Sequence, residues 1–353
     1  MTLDLILIGF GNVGQRFASL LDEQRTTLAR QYGIAPRIVG IATRRHGQAF
    51  AAHGLDIAKV RTASGDTLTF LREALAKSRT AARERRLVVV ETTTLDVNRG
   101  EPAVSYIRAA LVANAHVITA NKGPVACAYA RLRREAERAD RRWLFEGAVM
   151  DGVPIFNLVR ETMPAVRILG FRGIVNSTTN FILTAMEQGQ RFDGALAEMQ
   201  ERGIAEADAS LDVDGWDAAA KTAALANVLL GARLTPAGVV REGITRDAAA
   251  RAIEAARGGR RLKLVARASR QPRGVTARVS LEELTGDDPL ARIDGQQNAI
   301  ILSTDLLGEI AVVQRGGGLT QTAYALLSDL VTIARGVTVS AATPRSHRRA
   351  RRG

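Results

Sequence analysis

Leu3-Asp4-Leu5-Ile6-Leu7-Ile8-Gly9-Phe10-Gly11-Asn12-Val13-Gly14 is the stretch whose reading decides the fold. An apolar run interrupted only by Asp4 has the composition of a parallel strand buried on both faces. It passes directly into glycines spaced G-x-G-x-x-G, and a helical pattern follows from Gln15 to about Gln31. Between a strand and a helix that spacing has a mechanism. Gly9 permits the tight turn, Gly11 lets a pyrophosphate approach the backbone, and Gly14 lets helix and strand pack closely, while the helix N-terminus offers N–H donors to phosphates. Gly9, Phe10, Gly11, Asn12, Val13 and Gly14 are therefore the candidate dinucleotide site.

Outward from this turn the pattern repeats. Apolar runs at Arg37–Ala42, Leu87–Glu91 and His116–Ala120 alternate with helical segments, and Trp143-Leu144-Phe145 supplies a further short strand. Strand and helix in alternation predict an α/β fold, a Rossmann-type doubly wound parallel sheet, over residues 1–145. After Pro154 the pattern becomes mixed α+β. Val166–Val175, Arg260–Arg270, Gly274–Leu281 and Asn298–Ser303 read as strands, and Trp216–Leu230 as a long helix. Residues 146–315 are expected to form a substrate-binding and dimerisation domain. A last helix within 316–338, opened by Gly316-Gly317-Gly318, should complete the first domain, and 339–353 reads as a basic, disordered tail.

Composition narrows the function. The 353 residues are 46% hydrophobic and 24% charged, so a sizeable core is expected. No apolar stretch reaches the roughly 20 residues that cross a bilayer, and the start lacks a signal-peptide pattern. One cysteine, Cys127, allows no intrachain disulfide, which suits a reducing cytoplasm. The net charge of +13 is diffuse apart from five arginines in the last nine residues, and an aromatic fraction of 4% is too low to stack bases. A nucleic-acid partner is not expected, nor a membrane. The four histidines show no metal spacing.

The chemistry concentrates in Glu206-Ala207-Asp208-Ala209-Ser210-Leu211-Asp212-Val213-Asp214-Gly215-Trp216-Asp217, with Lys221 four residues on. A capped helix with an i,i+4 ion pair would explain part of it, with Asp214 as cap. Yet the helix is apolar on nearly every side, and a lysine on a buried helix needs a partner. Lys221 among Asp217, Asp212 and Glu206 suits an ammonium-bearing substrate and proton transfer. Lys122 lies just past the carboxyl end of a strand, where doubly wound sheets bind ligands. The turn Asn176–Asn180, with Thr178 within it, offers hydroxyls and amides at a helix start. At the end of the second strand Thr43-Arg44-Arg45 replaces the usual acid, so Arg44 and Arg45 favour NADP over NAD.

Taken together, Gly203–Lys221, Thr119-Ala120-Asn121-Lys122, Phe145–Pro154 and Asn176–Leu183 resemble the homoserine dehydrogenase family, from Gly9 to about Ala334. The resemblance implies NAD(P)H-dependent interconversion of L-aspartate 4-semialdehyde and L-homoserine, in threonine, methionine and isoleucine biosynthesis. It implies Lys221 as proton donor and Lys122 near nicotinamide and substrate, with Glu206 on the substrate amine and Asp212 and Asp217 orienting. Thr92, Thr93 and Gly318 join the cofactor contacts, and Thr178 the substrate contacts. A monovalent cation, sodium or potassium, is expected at Glu146, Val149, Asp151 and Val153, and a homodimer as the assembly. Ser177 and Ala148 depart from the family's usual glycine and threonine, and no C-terminal regulatory domain is expected. Two other readings stay open: an oxidoreductase of another amino-acid semialdehyde, or a catalytically silent nucleotide sensor.

Overall fold

A computed structural model describes residues 1–44, 47–57, 62–81, 86–201, 209–245 and 247–336. Arg45, Glu206 and the expected tail at 339–353 lie outside the described residues. The first sheet is built from β1 (Thr2–Ile8), β2 (Ala35–Thr43), β3 (Gly47–Phe50), β4 (Arg86–Glu91), β5 (His116–Thr119) and β6 (Trp143–Leu144), in the order β3-β2-β1-β4-β5-β6. All its pairings are parallel except β2 with β3. The helices of this half are α1 (Asn12–Glu23), α2 (Arg25–Tyr32), α3 (Thr67–Ala81), α4 (Ala103–Val112) and α5 (Lys122–Arg138). The expected continuous helix to Gln31 is thus two, breaking at Gln24, whose backbone N–H still reaches Leu20 O while the chain turns.

The apolar run of β1 is apolar because both faces are covered. Leu3, Leu5 and Leu7 pack with Phe17, Leu20 and Leu21 of α1, whereas Ile6 and Ile8 belong to the layer of Leu71, Leu75 and Ile107. Asp4, the one interruption, is buried and takes two hydrogen bonds from the Arg37 guanidinium on the neighbouring strand, at 3.0 and 2.7 Å. Gly9 sits at φ +91°, and a Cβ there would lie 2.6 Å from Thr92 O. Only glycine fits that corner.

The second half runs α6 (Ile155–Thr162), β7 (Ile168–Ile174), α7 (Ser177–Glu187), α8 (Phe192–Glu201), α9 (Ser210–Val213), α10 (Trp216–Leu229), β8 (Val240–Arg241), α11 (Ala248–Arg257), β9 (Arg260–Gln271), β10 (Gly274–Thr285), β11 (Asn298–Thr304), β12 (Glu309–Gln314) and α12 (Leu319–Ala334). Its sheet has the order β12-β11-β7-β9-β10-β8. Helix α10 is buried along nearly its whole length, packed between α5 and the strands β9 and β10. Asn227 near its end fixes that packing by donating to Val125 O and Ala126 O on α5. Helix α12 returns to the first half, where Leu326, Leu330 and Ile333 join the core of Leu3 and Leu5 and Thr320 accepts from Arg16 Nε at 3.0 Å. Among the described residues no helix is long and apolar enough to cross a membrane.

Candidate active site

Two helix starts meet at one carboxylate. Asn121 caps α5 by accepting from Gly123 N–H, which leaves Lys122 as the first helical residue. Gly215, at φ +77°, opens α10 with Asp217 in its first turn, so the helix has no side-chain cap and Asp214 does not serve as one. Lys122 Nζ lies 3.0 Å from Asp217 Oδ1, and Lys221 Nζ lies 2.9 Å from Oδ2. The α10 pairing was legible as i,i+4; the pairing with Lys122 joins residues far apart in sequence.

The rest of the cluster hangs on Asn176, which the sequence placed in a helix-start turn without a link to the acids. It caps α7 by accepting from Thr179 N–H at 2.8 Å, while its Nδ2 donates to Asp212 Oδ1 at 2.7 Å and Asp217 Oδ2 at 2.8 Å. One amide therefore ties α7, α9 and α10 together. The only sequence signal was its place directly after a buried strand, where a cap alone would read the same. Asp212 is held by this amide rather than by a lysine. Thr178, two residues after Asn176, is buried. Lys221 Nζ also donates to Val175 O at 2.7 Å, so two of its three N–H groups are engaged.

Electrostatics follow from the geometry. Burial works to raise Asp217, but the ammonium groups of Lys122 and Lys221 overcome it and hold the carboxyl far below the ordinary range. Burial raises Asp212, with the Asp217 charge adding to it. Lys221 is disfavoured as a cation by burial, yet Asp217 more than offsets this and its pKa is raised. Lys221 stays an ammonium at neutral pH.

The glycine turn has the shape a dinucleotide needs. A Cβ at Gly14 would meet Gly9 O at 2.8 Å, whereas one at Gly11 would meet nothing within 4 Å. Helix α1 has no side-chain cap and no acid in its first turn, which leaves its N–H donors at Asn12 and Val13 clear of carboxylates. Thr92 closes the floor by donating from Oγ1 to Gly9 O at 2.9 Å, and Thr93 follows it on the same loop. Arg44 is exposed at the end of β2. Near the second half, Glu146 is buried and accepts from Phe156 and Asn157 N–H at 2.8 and 2.7 Å, and its own N–H donates to buried Asp329. Met150 and Asp151 follow at φ +46° and +52°, and Asp151 accepts from Thr322 Oγ1 beyond Gly318.

Comparison with known proteins fits this geometry. Residues 154–331 match the homoserine dehydrogenase family model, and residues 9–146 match the homoserine dehydrogenase NAD-binding domain. The chain belongs to the homoserine dehydrogenase family. It is 37% identical to an NAD(+)-dependent homoserine dehydrogenase of Pseudomonas canavaninivorans, over 93% of this chain and 95% of that one. It is 34% identical to a homoserine dehydrogenase of Sulfurisphaera tokodaii, over 94% and 99%. The crystal structure of a homoserine dehydrogenase from Thiobacillus denitrificans superposes with a TM-score of 0.80 at 30% identity, covering 95% of this chain and 74% of that one. Family membership makes the chain an oxidoreductase acting on a CH–OH group with a nicotinamide cofactor, and the expectation of a family fold holds.

Proposed function

We propose that the Lys122–Asp217–Lys221 cluster is the catalytic centre for interconversion of L-aspartate 4-semialdehyde and L-homoserine. The observation that carries this is one buried carboxylate holding two ammonium groups, 3.0 and 2.9 Å away, at the starts of two helices. The nicotinamide supplies or accepts the hydride. Among the described residues Lys221 has one N–H left after Val175 O and Asp217, and it donates that proton to the substrate oxygen as charge develops there. Asp217 keeps Lys221 charged and aims both lysines, and Lys122 lies beside the cofactor. Asp212, with Glu206, takes the substrate ammonium, and Thr178 lines the same turn.

The cofactor reading extends to Gly9–Gly14, Thr92, Thr93 and Gly318, with NADP preferred because Thr43 and Arg44 stand where an acid would repel a 2′-phosphate. The buried acids at Glu146 and Asp329 suit a monovalent cation. Asp329 Oδ1 has no hydrogen-bond partner among the described residues, and burial with the Asp329 charge pushes Glu146 up to about 8. Glu146 with the backbone at Val149, Asp151 and Val153 would hold that ion. Residues 1–145 with α12 would form the cofactor unit, and 146–315 the substrate unit. A homodimer is supported by the far face of the second sheet, where exposed Ala311 and Val313 sit opposite Ile301 and Ala299.

One spectrophotometric assay tests the core of this. Oxidation of NADPH and of NADH is followed with aspartate semialdehyde, with and without sodium or potassium. Turnover of the semialdehyde is expected, faster with NADPH and stimulated by the cation. No turnover with either cofactor sinks the catalytic assignment.

A further inference from the structure

Glu91 ends β4 fully buried, and no lysine or arginine pairs with it among the described residues. Its carboxylate is satisfied by neutral donors alone. Oε1 accepts from Thr93 N–H at 2.7 Å and from Thr93 Oγ1 at 2.5 Å, and Oε2 accepts from Thr119 Oγ1 at 2.5 Å. Thr119 Oγ1 in turn accepts from Asn121 N–H at 2.9 Å, and Asn121 Nδ2 donates back to Thr93 O at 3.2 Å and Thr94 O at 3.4 Å. The bonds close a ring through Glu91, Thr93, Asn121 and Thr119. That ring joins the loop after β4 to the loop after β5, at the carboxyl ends of adjacent parallel strands.

Each side of the ring leads to the site. Thr92, between Glu91 and Thr93, packs on Gly9 and donates to its carbonyl. Asn121 caps α5 and so sets the direction in which Lys122 leaves the helix toward Asp217. An acid buried without a cation is costly, and a hydroxyl network with neutral ends would close the same gap more cheaply. We propose that Glu91 is a positioning residue for the reaction, holding the cofactor floor at Thr92–Thr93 and the Lys122 helix start in one fixed relation. Two loops at the carboxyl edge of a sheet move independently unless something ties them, and displacement of a reacting group by about 1 Å can cost roughly a hundredfold in rate. Burial pushes the Glu91 carboxyl up, against the pull of the Thr119 and Thr93 donors. The acid therefore depends on its ring remaining closed.

The inference rests on Lys122 working at the site, and its test separates the two. Thr119→Val keeps shape and cuts only the arm toward Asn121, whereas Glu91→Gln weakens both arms. Thermal unfolding, cofactor dissociation constants by NAD(P)H fluorescence, and steady-state kinetics are measured for both variants and the double variant. Thr119→Val is expected to lower kcat about tenfold with cofactor affinity unchanged. Glu91→Gln is expected to lower kcat at least as much and also to weaken cofactor binding about threefold, and the double variant should be no worse than Glu91→Gln alone. Lowered melting temperatures with wild-type kcat and cofactor affinity overturn the proposal, as does a double variant whose losses multiply. If Glu91→Gln does not fold, the kcat of Thr119→Val decides alone. If the wild type turns over no semialdehyde, the catalytic reading fails by itself, and the cofactor affinity of Glu91→Gln still judges Glu91.

Discussion

Around Gly9, Gly11 and Gly14 the chain removes side chains; around Lys122, Asp217 and Lys221 it crowds them. The first region offers backbone N–H groups at an uncapped helix start, and what it can accept is a matter of space. The second gathers three formal charges of mixed sign, two ammonium groups on one carboxylate, largely shielded from solvent. A backbone grip is indifferent to pH and fails only when something occupies its space. A charge cluster is sound only while its shared carboxylate is present, because removing Asp217 leaves two buried ammonium groups without their ion-pair partner. The two regions should therefore break in different ways.

The largest effect is expected at the charge cluster. Lys221→Ala removes the proposed proton donor without touching the glycine turn, so kcat should fall by about 10²–10⁴-fold, with the cofactor dissociation constant changed by less than about twofold. Joint loss of rate and cofactor affinity would show the regions to be one. Next comes Asp217→Asn, which takes from two buried ammonium groups the carboxylate they share and should destabilise the fold by about 3 kcal/mol at pH 7 in urea unfolding. The pH dependence has a definite sign. The Asp217 pKa is depressed in the folded state, so its contribution is present above its ordinary value of 3.8 and lost as pH falls below that. The stability gap between wild type and variant should close on acidification; a gap that stays constant from pH 7 to pH 3 refutes the pairing.

Legibility in the sequence divides along the same line. The parallel strands announced themselves because burial on both faces demands unbroken apolar runs, and the glycine spacing fixed the turn after β1. Strand β3 did not, being four half-buried residues on a sheet edge. Helix α11 buries only alanines, Ala248, Ala252 and Ala255, so it gave no strong apolar period. In the site, Asp217 and Lys221 were legible because i,i+4 is local geometry. Lys122 was ambiguous and Asn176 was legible only as part of a helix-start turn, because their roles come from tertiary contacts: an asparagine after a strand reads as a cap until the bonds of its side-chain nitrogen are seen. Charge clusters assembled from four helices cannot be read from spacing, whereas a one-turn backbone site can.

Two glycine variants sharpen the contrast within the backbone region. Gly9→Ala meets a positive φ and a carbonyl 2.6 Å away, so it should cost about 1–3 kcal/mol of stability. Gly11→Ala meets open space at φ −79° and should leave stability unchanged. Its methyl points into the volume left for the pyrophosphate, and the cofactor dissociation constant should rise about tenfold, equivalent to about 1.4 kcal/mol. If both variants lose stability equally, Gly11 is structural and the space beside it has no occupant.

The smallest effect is expected where the cofactor site does use charge. Arg44 is exposed, so the attraction for a 2′-phosphate proposed for it would be weakened by water and shared with mobile ions. Arg44→Glu should lower kcat/KM for NADPH about fivefold, the scale of an exposed ion pair, while NADH is unharmed because the new carboxylate can accept from the ribose hydroxyls. The NADPH loss should shrink at high salt. The effect of Gly11→Ala, which is steric, should not. Equal salt sensitivity in the two variants would mean that the glycine turn also binds through unscreened charge, and the division between a region of space and a region of charge would have to be redrawn.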